Sequence, residues 1–189
     1  MTRPNILVAG IGNIFLGDDA FGVEVVQQML REPALDGVKI VDFGIRGLDL
    51  TYTLLDPYDA VILVDAVPRG ETPGTLYVIE PDPSEVAGPA EEPMEPAEVL
   101  IDAHNMDPVK VLRLARRMGG KLRRVLIVGC EPAPFDPETE MDMAMSPRVR
   151  AAVPRAIETI HSLVEKLNWQ TSGSNVKGAD DHVQLIPVF

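Results

Sequence analysis

Four short apolar runs punctuate the chain, at Asn5 to Ala9, Val38 to Phe43, Ala60 to Asp65 and Val125 to Gly129, with stretches of helical spacing between or after them. The runs are apolar at odd and even positions alike. As strands they must therefore be covered on both faces, which parallel strands linked by crossover helices achieve. The helical stretches are Ala20 to Arg31, Leu48 to Leu55, Pro108 to Met118 and Pro147 to Leu167. Asp107 and Ser146 each stand as an N-cap residue ahead of a proline at the first helical position. A further strand, Thr75 to Ile79, follows the turn residues Pro73-Gly74 and is expected at a sheet edge. The expected fold is α/β: a doubly wound, mostly parallel sheet flanked by helices on both faces, with one antiparallel edge strand.

A length of 189 residues, 46% of them hydrophobic, provides for one substantial core. The expected organisation is a single domain over 1–167 and a flexible tail over 168–189, with Gln170 to Asp181 poorly ordered. Asp82 to Glu98, dense in proline and glutamate, is expected to be a mobile acidic loop. The formal charge of −12 argues against nucleic-acid or anionic-membrane partners. The basic residues that do gather, Lys121 to Arg124 with Arg113, Arg116 and Arg117, complement a helix C-terminus. A lone cysteine, Cys130, leaves no intrachain disulfide or thiolate-only metal cage, and a reducing, cytoplasmic location is expected. Met1-Thr2-Arg3-Pro4 leads directly into a strand, and no signal peptide is expected. No apolar run reaches the ~20 residues needed to span a bilayer, so membrane insertion is not expected.

The first strand opens into Gly10-Ile11-Gly12-Asn13-Ile14-Phe15-Leu16-Gly17-Asp18-Asp19-Ala20-Phe21-Gly22. A glycine-rich turn at this place ordinarily cradles phosphate, but the third glycine of G-x-G-x-x-G would fall at Phe15, and two adjacent aspartates repel a pyrophosphate. The loop is better suited to a cation. Loops at the carboxyl ends of parallel strands converge on one edge, which brings Asp19, Asp65 at the end of the third strand, and His104 before a helix into the same region. Two carboxylates and an imidazole suit a divalent transition metal with an open coordination position. Each also has a plainer role open to it: Asp19 as a turn former, Asp65 as a paired buried acid, His104 as a satisfied loop histidine. His161 and His182 have weaker claims, and Cys130 is best read as a buried small side chain. No G-x-S-x-G elbow and no H-E-x-x-H motif occurs, and Ser146 reads as a helix cap.

Taken together and in order, G-I-G-N-x-x-x-x-D-D-x-x-G, the Val64-Asp65-Ala66 segment, the single histidine before a helix, and Gly129-Cys130-Glu131-Pro132 followed by Ser146-Pro147 resemble the [NiFe]-hydrogenase maturation endopeptidases. The resemblance covers Ile6 to Leu167. It implies an enzyme that removes a C-terminal extension from a hydrogenase large-subunit precursor after nickel insertion, with Asp19, Asp65 and His104 as nickel-binding and catalytic residues. It also implies a role in substrate selection for the loop containing Asp42 and Arg46. The nickel would be supplied by the precursor, with zinc or cadmium as substitutes in vitro. Two other classes fit parts of the pattern: a nucleotide or small-anion-binding α/β module, and a maturation partner that docks the precursor without cutting it.

Overall fold

The computed structural model describes residues 4–82, 86, 108–134 and 144–172. Among the described residues five strands form one sheet: β1 (Ile6–Ile11), β2 (Val38–Gly44), β3 (Ala60–Ala66), β4 (Leu76–Ile79) and β5 (Val125–Cys130). Their order across the sheet is β2-β1-β3-β5-β4, with β4 antiparallel to β5 and every other pairing parallel. Four helices occur among the described residues: α1 (Phe21–Met29), α2 (Gly47–Thr53), α3 (Pro108–Arg117) and α4 (Pro147–Ser172). A 3-10 turn, Gly17–Ala20, leads into α1. The expected doubly wound sheet with one antiparallel edge strand is the fold observed.

Strand alternation divides the core in two. Ile6, Val8, Ile62, Val64, Leu126 and Val128 face α1 and α4, while Leu7, Ala9, Val61, Leu63 and Ile127 face α2 and α3. Burial of each such side chain is worth about 1.5–3 kcal/mol, which explains why the central strands contain no polar residue before Asp65. The edge strand is set by Thr72 to Thr75, where the Thr75 N–H donates to the Thr72 carbonyl at 3.0 Å around Pro73-Gly74.

Most element boundaries fall one or two residues from expectation, and two differences bear on the site and the core. The Gly17–Ala20 turn precedes α1, so that helix starts at Phe21 and not at Ala20. At the other end α4 continues to Ser172, five residues beyond Leu167, with Pro154 inside it. The apolar spacing that anchors this helix persists through Ile160, Val164 and Leu167, and this packing outweighs the hydrogen bond that Pro154 cannot donate. Residues 173–189, Asp107, and all of Asp82 to Glu98 except Asp82 and Val86 lie outside the described residues. Val86 is buried in the α2/α3 half of the core. No helix among the described residues is long and apolar enough to cross a membrane.

Candidate active site at the carboxyl edge of the sheet

The loop after β1 folds tightly because its glycines admit backbone where side chains cannot go. Gly12 adopts φ +133°, and a Cβ there would overlap the Asp19 carbonyl oxygen. Gly22 lets the first turn of α1 sit against the Val64 and Ile11 carbonyls at the ends of β3 and β1. The 17–20 turn thus packs on the carboxyl end of β3, the strand that carries Asp65.

No phosphate cradle remains in this geometry. The Gly12 N–H donates to the Gly44 carbonyl at 3.1 Å, and the Asn13 N–H donates to Asp19 Oδ2 at 2.7 Å. Asn13 in turn accepts the Phe15 N–H on Oδ1 at 3.0 Å, closing a local turn. The bond from Gly12 ties the loop after β1 to the one after β2. At the loop's tip Ile14, Phe15 and Leu16 are 52%, 64% and 59% exposed.

The two adjacent aspartates differ in their partners. Asp18 accepts the Ser146 N–H on Oδ1 at 2.6 Å, and on Oδ2 the Ser146 hydroxyl at 2.9 Å and the Ala133 N–H at 2.8 Å. The Asn13 bond is the one hydrogen bond that the Asp19 side chain makes among the described residues. Asp65 is only 7% exposed, and one of its oxygens accepts the Ala66 N–H at 2.8 Å. Asp19 and Asp65 therefore share one sheet edge, as expected. His104, the third residue of the expected set, lies outside the described residues. Ser146 departs from its expected part: its carbonyl accepts the Arg150 N–H at 2.9 Å, but its hydroxyl is given to Asp18.

Asp42 and Arg46 lie one strand away. Asp42 is in β2 opposite Gly10, and its Oδ2 accepts from Gln27 Nε2 at 3.0 Å. Arg46 folds back on its own loop, donating to the Asp42 and Phe43 carbonyls and pairing with Asp49 at 3.5 Å. His161 is remote from this edge, 3.2 Å from Glu32, and His182 lies outside the described residues.

Glu131, quoted in the sequence only as part of a motif, proves to be an organiser of the same edge. It is 4% exposed, and it accepts the Arg69 and Gly70 N–H groups at 2.8 and 3.1 Å and the Tyr77 hydroxyl at 2.5 Å. Burial pushes its pKa up, but the Tyr77 bond and the N–H groups of Arg69, Gly70 and Glu71 together outweigh that and hold it below the usual glutamate range. Tyr77 is pushed up by burial and by the Glu131 carboxylate. Cys130 is buried, and burial with the neighbouring charges of Asp18 and Glu131 pushes its thiol up to about 12. A neutral, buried thiol is a packing group and a poor nucleophile.

The hydrogenase maturation protease family model matches residues 23–163. The hydrogenase expression/formation protein HupD of Rhizobium leguminosarum bv. viciae is 34% identical over 157 residues, which is 82% of this chain and 72% of that one. The coenzyme F420 hydrogenase subunit delta of Methanothermobacter thermautotrophicus is 30% identical over 161 residues, covering 82% and 91% of the two chains. Among solved structures, the hydrogenase maturating endopeptidase HybD from E. coli superposes with a TM-score of 0.64 at 26% identity, over 86% of this chain and 93% of that one. The chain belongs to the hydrogenase maturation protease family. The chemistry that goes with membership is peptide-bond hydrolysis.

Proposed function

We propose that the protein removes the C-terminal extension of a [NiFe]-hydrogenase large-subunit precursor once nickel has been inserted, and that the nickel held by the precursor is what it recognises. The observation that carries this reading is the division of labour at the carboxyl edge. Asp18 accepts from three donors of the fold, while Asp19 accepts from one and retains more accepting capacity beside the end of the strand that carries the buried Asp65. Together with His104 these two carboxylates would supply an O/O/N donor set, which suits a borderline divalent ion. An open site of this kind holds copper more readily than nickel and also admits zinc, so affinity alone cannot verify that nickel is present. Nickel held by the precursor resolves this, because only a loaded precursor brings metal and scissile peptide to the site together. Zinc or cadmium would occupy the same donors in vitro.

The residues of this chain would orient the bound segment and hold its peptide against the edge, an effect worth many kcal/mol in such reactions. When present, the metal supplies Lewis-acid polarisation or an activated water, with a carboxylate of the site as base. The exposed Ile14, Phe15 and Leu16 beside Asp19 support a polypeptide substrate, since a small-molecule site has no use for three large apolar side chains on its rim. The loop of Asp42 and Arg46, joined to the Asp19 loop through Gly12 and Gly44, would take part in choosing the precursor. Consumption of the Gly12 and Asn13 N–H groups within the fold weighs against the small-anion module. The reading extends to a cytoplasmic location, supported by the single reduced Cys130.

Asp19→Asn, Asp65→Asn and His104→Ala, each assayed on nickel-loaded precursor, are expected to lose cleavage by at least about a hundredfold while remaining folded. Wild-type rates in any of the three would remove that residue from the set. Binding of the loaded precursor without cleavage by the wild-type protein would make it a docking partner and not a peptidase.

A further inference from the structure

We propose that Asp18 is a positioning residue for Asp19, an inference that rests on the peptidase reading given above. Asp18 gathers two segments that are distant in sequence. Ser146, at the start of α4, gives it an N–H at 2.6 Å and a hydroxyl at 2.9 Å, and Ala133, in the loop after β5, gives it an N–H at 2.8 Å. Hydrogen bonds to a carboxylate are roughly twice as strong as neutral ones, and three on one side chain fix its position closely. The peptide unit that follows is that of Asp19, so the tether determines where Asp19 begins.

The other hydrogen bonds that restrain Asp19 are local. Its N–H donates to the Leu16 carbonyl at 3.0 Å, the Leu16 N–H donates to the Asn13 carbonyl at 3.0 Å, and its own Oδ2 accepts the Asn13 N–H at 2.7 Å. These bonds shape the loop without relating it to β5 or α4. Asp18 supplies that relation. With three donors on its two oxygens, it is engaged by the fold and not placed as a ligand. Adjacent acids in this loop therefore have separate tasks: one clamps the loop, and the other faces the reaction.

The test compares the full-length wild-type protein with Asp18→Asn, Ser146→Ala and Ser146→Thr. Three readouts are taken: amide hydrogen exchange, a titration with Co2+ alone followed by its d–d absorption, and kcat and KM on nickel-loaded precursor. In Asp18→Asn one oxygen becomes an NH2 that opposes the donors it faced. The Asn13 amide is expected to exchange at least about tenfold faster while β1 and β3 amides keep their protection. Co2+ binding should weaken about tenfold, and kcat should fall more than tenfold at unchanged KM. Ser146→Ala should shift each readout the same way by less, and Ser146→Thr, which keeps the hydroxyl, should restore them. Unchanged exchange at Asn13, or protection lost evenly across the sheet, would overturn the proposal. If Asp18→Asn does not fold, the contrast between Ser146→Ala and Ser146→Thr decides. A wild-type protein that leaves loaded precursor intact defeats the peptidase reading instead, because exchange and Co2+ binding report on the tether without any precursor.

Discussion

How a carboxylate behaves at this edge is decided by the donors that reach it. Glu131 collects backbone N–H groups and a phenol, Asp18 a hydroxyl and two N–H groups, and Asp19 a single N–H. Glu131 is nearly inaccessible and its pKa is held below the ordinary range, so its contribution to stability is present above that range, about pH 4.3. That contribution disappears as pH falls through the lowered folded-state value, when the carboxylate takes up a proton. Glu131→Gln should therefore cost about 2 kcal/mol at pH 7, because an amide NH2 would then face buried donors. Urea unfolding from pH 7 to pH 3 checks both parts: the variant should be less stable at neutral pH and lose less than the wild type on acidification. Parallel curves would show that Glu131 does not carry this linkage.

At the scale of elements, the loop after β1 depends on backbone contacts that exclude Cβ atoms. A Cβ at Gly22 would meet the Val64 and Ile11 carbonyls, which belong to neighbouring strands and cannot move independently. Gly22→Ala should destabilise the protein by about 1–3 kcal/mol by lifting α1 from the sheet. It should also reduce cleavage more than stability at temperatures where the variant is fully folded, because the same lift carries Asp19 from the edge. Cleavage that simply tracked the folded fraction would contradict this.

The strands were legible from sequence because burial on both faces leaves continuous apolar runs, and the helices because α1 through α4 keep a 3.6-residue stripe. Placement of Asp19 and Asp65 at one edge followed from topology alone. The separate roles of Asp18 and Asp19 did not, since they depend on Ser146 and Ala133, more than a hundred residues away. Glu131 was hidden for the same reason: its partners on 69–71 and at Tyr77 are supplied by the tertiary fold. Ser146 caps α4 with its carbonyl and not its hydroxyl, because a hydroxyl free to cap a helix is equally free to bond a distant carboxylate.

At the scale of the whole molecule, recognition of nickel held by the precursor requires weak intrinsic metal binding. An enzyme with its own tightly held metal could cut a precursor that had received none. Protein purified without tag or chelator should retain far less than one equivalent of nickel or zinc after dialysis, as elemental analysis would show. Stoichiometric metal surviving dialysis would make it a conventional metallopeptidase. The most direct test of the central claim pairs nickel-loaded and nickel-free large-subunit precursor with the purified protein and follows both by intact-mass measurement. Loss of the C-terminal extension is expected from the loaded precursor and none from the nickel-free one. Equal cleavage of both, or of neither, would contradict it.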